Sequence, residues 1–155
     1  MNTLDGKTYT MPGVIRFTVP DVPCAQPRQR HRVIQANGRT FAHNYTPAKH
    51  KVNDFKAACK MAASAAYSGE PMGGAVMVSL IFVMPRPGRL IWKKRPMPRE
   101  QHTAKPDIEN LAKSVLDALS ELVWRDDSQV SGLFLTKLYA AGNEQPHVEV
   151  EVTSL

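Results

Sequence analysis

Ten consecutive residues, Ala75 to Met84 ("AVMVSLIFVM"), carry one polar side chain, Ser79. The run stops at Pro85 and is well short of the ~20 residues that cross a bilayer, so it reads as a strand apolar on both faces. Such a strand belongs in the middle of a sheet with cover on each side. The rest of the chain must be arranged around it. At 155 residues the chain is of ordinary size for one domain with a self-sufficient core.

"GVIRFTVP" (13–20) alternates and predicts a first strand, which runs into the basic, extended segment "DVPCAQPRQRHRV", where Pro23 and Pro27, following Pro20, preclude a helix. A Thr-Pro start, apolar residues at Val52, Phe55, Ala58, Cys59, Ala62 and Ala66, and a stop at Gly69 predict a helix from about Pro47 to Tyr67. From Pro85 to Pro106, both included, the chain has seven Lys or Arg, five prolines and one glutamate with no regular period, a long basic loop of the kind that is functional or disordered. Ile108, Leu111, Ala112, Val115, Leu116, Leu119, Leu122 and Val123 then follow the helical spacing closely. "SQVSGLFLTKLYA" and "HVEVEVTSL", joined by "AGNEQP", predict two final strands paired as a hairpin. The expectation is an α+β fold: one compact domain over 1–155 with a tail at 1–12, a mixed β-sheet and two main helices in the order β-α-β-α-β-β.

A formal charge of +6 and a pI near 9.5 favour a polyanionic partner. Cys24 and Cys59 match no zinc spacing or CxxC motif and suit a reducing cytoplasm. "MNTLDGKTYTMPG" lacks the basic flank and apolar run of a secretory signal, so a soluble, cytoplasmic protein without membrane contact is expected.

Against that basic background, six of the fourteen carboxylates fall between positions 107 and 127: Asp107, Glu109, Asp117, Glu121, Asp126 and Asp127. The plain account is a helix capped by Asp107, with Glu109 near the positive end of the dipole and paired to Lys113 at i, i+4. A second account starts from Glu109, Lys113 and Asp117 sharing the face opposite the apolar stripe. Asp126 and Asp127 follow Trp124 where the helix gives way to a strand. If that strand lies beside the helix start, a third carboxylate approaches Asp107 and Glu109. Carboxylates converging without His or Cys form a hard oxygen site that suits Mg²⁺ or Mn²⁺ over zinc. Acid set in a basic surface is the arrangement a metal-dependent nuclease needs: the surround holds phosphates, the centre holds cations, and Lys113 offsets charge on the reacting phosphate.

"KPDIENLAKSVLDAL" followed by "VWRDDSQV" resembles the signature of the RusA family of Holliday-junction resolvases, small endonucleases common in prophages. "VPCAQPRQRHR" and "FVMPRP" are similar to further family segments, so the resemblance spans about Val14 to Val152, with the specific motif within Lys105–Lys137. It implies a RusA-like fold and a homodimer that cuts opposed strands of a four-way DNA junction with Mg²⁺, in recombination and repair. It also implies a bacterial or phage setting near the nucleoid, with no small-molecule cofactor. By motif, the catalytic carboxylates are Asp107, Glu109 and Asp127, with Asp126 beside them as a further metal ligand, and Lys113 is the essential lysine. Most of the family has aspartate at the second position. Glu109 places its carboxylate one methylene further out, which bears on Mg²⁺ against Mn²⁺ use.

Arg28, Arg30 and Arg32 alternate and track phosphates if the segment is extended; their plain role is a solvated edge protected by charge. Lys93, Lys94 and Arg95 beside Trp92, with Lys105, form a basic and aromatic mix suited to opened DNA. Trp124 is expected in the core, and His31 and His102 contact phosphate or nothing. Asp117 either holds Lys113 or is a surface carboxylate. The competing functions are a nuclease for flaps or forks and a catalytically weakened junction-binding protein.

Overall fold

The structure, a computed structural model, describes residues 2–4, 7–9 and 13–155. The expected tail at 1–12 lies largely outside them; of it, the backbones of β1 (Asn2–Leu4) and β2 (Lys7–Tyr9) pair antiparallel. After β3 (Val14–Val19) come a hairpin of β4 (Arg30–Ala36) and β5 (Arg39–Tyr45), helix α1 (Lys51–Ala66), strand β6 (Val76–Met84), the two-residue β7 (Glu100–Gln101), helix α2 (Ile108–Leu119) and strands β8 (Val130–Tyr139) and β9 (His147–Ser154). The main sheet has five strands in the order β3-β9-β6-β8-β7. With two helices on a mixed sheet, the fold is α+β, as expected.

Strand β6 is central, and that placement overturns the predicted β8–β9 hairpin. β6 pairs in parallel with β8 and antiparallel with β9, so it lies between them. The cause is the connection: β6 and β8 are joined through α2, and a helical crossover is what a parallel pair requires. With β8 on one edge of β6, β9 is left the other edge.

The alternate residues Val76, Val78, Leu80 and Phe82 of β6 are fully buried and form one core with Val52, Phe55, Cys59, Leu111, Val115, Leu119 and Trp124 from the helical layer. The opposite face of β6 is covered less than its composition suggests. Val83 is buried there, but Met77, Ser79 and Ile81 are half-exposed. At the Val83 end the 85–106 segment is tied to β9, because Arg99 grips Glu144 at 2.7 Å and Glu149 at 2.5 Å. Inside that segment Arg86 donates to the carbonyls of Ala140 (2.8 Å), Leu90 (3.0 Å) and Pro98. The long basic loop is thus an organised segment, with a 3-10 turn at Gly88–Leu90 and β7 at the sheet edge.

Two helix limits differ from the spacing. α1 starts at Lys51, where His50 Nδ1 accepts the Val52 N–H at 3.1 Å. The Thr46 hydroxyl is instead within 3.4 Å of Gln26 Nε2, and Pro47 opens a turn. α2 stops at Leu119: Glu121 takes the left-handed conformation (φ 68°), and Leu122 and Val123 enter the core from a turn. Cys24 and Cys59 are both buried free thiols; burial pushes Cys59 up to about 12, which makes it a poor nucleophile.

Candidate active site

Asp107 occupies the N-cap of α2, as its place in the sequence predicts, yet its side chain makes no capping hydrogen bond. The carboxylate is therefore free to act outside the helix. What holds Asp107 in place is a residue sequence reasoning passed over. Lys137 on β8 points into the helical side of the sheet, and its ammonium donates to the carbonyls of Ala104 (2.7 Å) and Pro106 (2.6 Å). The turn leading into Asp107 is pinned by a cation beneath it. The signal was a lone lysine in the run "LFLTKLY", on the strand beside the predicted helix.

His102 flanks the same turn, its ring tilted by 47° against Tyr139 with centroids 4.4 Å apart. Burial, aided by the Lys137 charge, lowers its pKa and favours the neutral imidazole.

Asp127 is held from the other side. Trp124 is fully buried, as expected, and its indole Nε1 donates to Asp127 Oδ1 at 3.1 Å. Asp126 Oδ1 accepts the Ser128 N–H (2.7 Å), and Gln129 Oε1 accepts the Asp126 N–H (2.8 Å), a reciprocal cap on the turn. The bonds from Ser128 draw the Asp126 carboxyl below its ordinary range. Gln129 Nε2 then tethers this turn to the carbonyls of Met72 and Gly74. Trp124, Asp126 and Gln129 thus build a platform, and Asp127 is what it presents.

The two halves meet in one groove between α2 and β8. One depression is lined by His102, Lys105, Asp107, Glu109 and Lys137; the next by Glu109, Lys113, Asp117 and Asp127; Glu109 and Leu135 belong to both. Among the described residues, Asp107, Glu109, Lys113 and Asp127 take part in no ion pair, so the Glu109–Lys113 pair of the plain account does not form. Nor does Asp117 hold Lys113: it faces Lys56 of α1 at 3.5 Å. Asp126 lines neither depression and spends one oxygen on its cap.

The donor chemistry of the groove, three unpaired carboxylates and no thiolate, fits a hard divalent cation. Their spacing does not yet close on one: among the described residues no three His, Cys, Asp or Glu side chains stand close enough to hold an ion.

Of the other sequence candidates, Arg28, Arg30 and Arg32 are exposed, the last two on β4, and Lys93, Lys94 and Arg95 are exposed in the long segment. Arg95 lies over the Trp92 ring at 3.6 Å, which occupies one face of that indole. His31 bonds Asn44 across the β4–β5 pair. Among the described residues no helix is long and apolar enough to cross a membrane.

The comparisons define the class, a family of endodeoxyribonucleases with which this α+β fold is consistent. Residues 20–153 match the family described as Endodeoxyribonuclease RusA, and the chain belongs to that family. It is also 34% identical over 143 residues to the uncharacterized protein YqaN of Bacillus subtilis (strain 168), covering 89% of this chain and 94% of that protein.

Proposed function

We propose that the chain, acting as one unit over 1–155, is a metal-dependent endodeoxyribonuclease that resolves four-way DNA junctions by paired, symmetric nicks in recombination and repair. The observation that supports this reading is a groove of two adjoining depressions, one lined by Asp107 and Glu109 and the next by Glu109, Lys113 and Asp127, with none of the four in an ion pair among the described residues. Asp107, Glu109 and Asp127 would hold divalent cation, Mg²⁺ with Mn²⁺ as substitute, which when bound supplies a nucleophilic water and counter-charge at the leaving oxygen.

The chain's own residues do the rest. The Lys137 clamp fixes where Asp107 stands, and the Trp124 indole orients Asp127, leaving its second oxygen for the cation. The Lys113 ammonium lies one turn along α2 from Glu109 and offsets the charge that builds on the phosphate. Lys105, Lys93, Lys94 and Arg95 hold flanking phosphates, as do Arg28, Arg30 and Arg32. Nicks placed symmetrically about a junction require two such sites related by a two-fold axis, which a homodimer provides.

The test is Asp107→Asn and Asp127→Asn on a synthetic four-way junction. Both variants should lose cutting and keep or improve binding, because each removes a charge that repels phosphate; cutting at the wild-type rate by either would remove that residue from the site.

A further inference from the structure

The β4–β5 hairpin stands apart from the core. No residue of Arg30–Ala36 or Arg39–Tyr45 is buried, although Val33, Ile34 and Phe41 are exposed by 65%, 41% and 53%. A bare two-stranded hairpin is marginal in water, so this one is built to lie against something. Its geometry is well specified: Asn37 and Gly38 both take positive φ (53° and 72°), the two-residue turn that matches strand twist, and Ala36 pairs with Arg39 directly behind it.

The register sorts the side chains. Opposed residues share a face, so the pairs Arg30–Tyr45, Arg32–His43, Ile34–Phe41 and Ala36–Arg39 lie on one side, and His31–Asn44, Val33–Ala42 and Gln35–Thr40 on the other. One face is thus cationic and aromatic, the other neutral. Between Asp21 and Asp54 the sequence has no carboxylate at all. A second copy laid on this face across a two-fold axis would set arginine against arginine with nothing acidic on either hairpin to meet them. A polyanion has the complementary charge.

The root of the hairpin fixes its place. Gln26 N–H donates to the Asn110 carbonyl at 2.9 Å, and the Ser114 hydroxyl lies 2.6 Å from the Cys24 carbonyl, so the segment entering the hairpin is fastened to α2 beside Asp107 and Glu109.

We propose that β4–β5 is a DNA-binding ribbon, with the face of Arg30, Arg32, Arg39, Phe41, His43 and Tyr45 laid on the DNA that leads into the acidic groove. The arginines pair with phosphates, and the two rings pack on sugars or bases freed at the branch. This rests on the reading that the groove acts on DNA, and extends it from scattered arginines to one oriented surface.

The experiment measures junction affinity in EDTA at several salt concentrations, with molar mass by sedimentation. Removing three phosphate contacts in Arg30→Gln/Arg32→Gln/Arg39→Gln should flatten the log–log salt slope by about 2.7. Phe41→Ala/Tyr45→Ala should weaken binding about tenfold or more with the slope kept, because stacking releases no counterions. Unchanged thermal unfolding shows that the fold is intact, as expected where nothing is buried. Wild-type slope and affinity in both variants, with wild-type protein binding and cutting junctions, would overturn the ribbon alone. A change in molar mass in either variant would make the hairpin a contact between copies and also overturn it. Wild-type protein that neither binds in EDTA nor cuts with metal would bring down the nuclease reading itself, and the ribbon with it.

Discussion

Replacing Lys137 with methionine separates the device that aims Asp107 from the carboxylate itself. Lys137 is half-buried and donates to two carbonyls at 2.7 and 2.6 Å. A hydrogen bond involving a charged group contributes about 1.5–3 kcal/mol, and two bonds from one ammonium do not add in full, so Lys137→Met should cost about 2–3 kcal/mol. At about 2–4 °C per kcal/mol for a chain of this size, Tm should fall by about 5–10 °C. Methionine keeps an unbranched apolar stem of similar length, which confines the loss to the polar contacts. Catalysis should suffer more than stability, because a displacement of about 1 Å at a reacting group can cost about 100-fold. The assay is single-turnover cleavage beside equilibrium binding of the same junction: the rate should fall by about 10- to 100-fold and affinity by little. His102 gives an independent readout by NMR. Its pKa, depressed by burial and by the Lys137 charge, should rise when that charge is removed. A variant with wild-type Tm, wild-type rate and an unmoved His102 titration would refute the clamp.

Lys113→Ala should reduce cleavage far more than binding; parallel losses in a filter-binding and cleavage series would make the lysine a grip on DNA and not a partner of the reacting phosphate. Trp124→Phe removes the bond to Asp127 Oδ1 and part of a fully buried ring, so about 1–3 kcal/mol should be lost in a denaturant titration, with cleavage reduced beyond what the unfolded fraction accounts for. Full activity at unchanged metal requirement would show that Asp127 needs no anchor. The hydrogen bond from Arg99 brings the Glu144 carboxyl below its ordinary range; at Glu149 burial acts upward but the bonds from Arg99 and His147 prevail, so it too is lowered. Folded values below unfolded ones give stability that is present above the ordinary carboxylate pKa of about 4.3 and is lost as pH falls through the folded values. Wild-type Tm should therefore drop below about pH 5, and Arg99→Met should start lower and fall less steeply. Equal slopes in the two scans would contradict the staple.

Strand β6 was legible because ten nearly unbroken apolar residues leave little choice, and α2 because its spacing repeats over three turns. The pairing of β8 was also implied, since a helix between two strands permits a parallel pair, but adjacency in sequence made the hairpin with β9 look simpler. The β4–β5 hairpin escaped because the prolines before it dominate the segment and no buried face imposes alternation, although Asn37-Gly38 is the strongest short hairpin signal. At the groove, residue types and the N-cap position of Asp107 were readable. That its carboxylate caps nothing, that Lys137 lies under it, and that Asp126 and Gln129 build the turn under Asp127 depend on contacts between distant segments, which no local spacing encodes.

The most direct measurement is cleavage of a labelled four-way junction by wild-type protein, beside linear duplex, flap and fork controls, with Mg²⁺, Mn²⁺ or EDTA. Paired nicks confined to the junction, present with metal and absent in EDTA, are the result the acidic groove predicts. Tight binding of the junction without cutting in either metal, or equal cutting of every substrate, would contradict it.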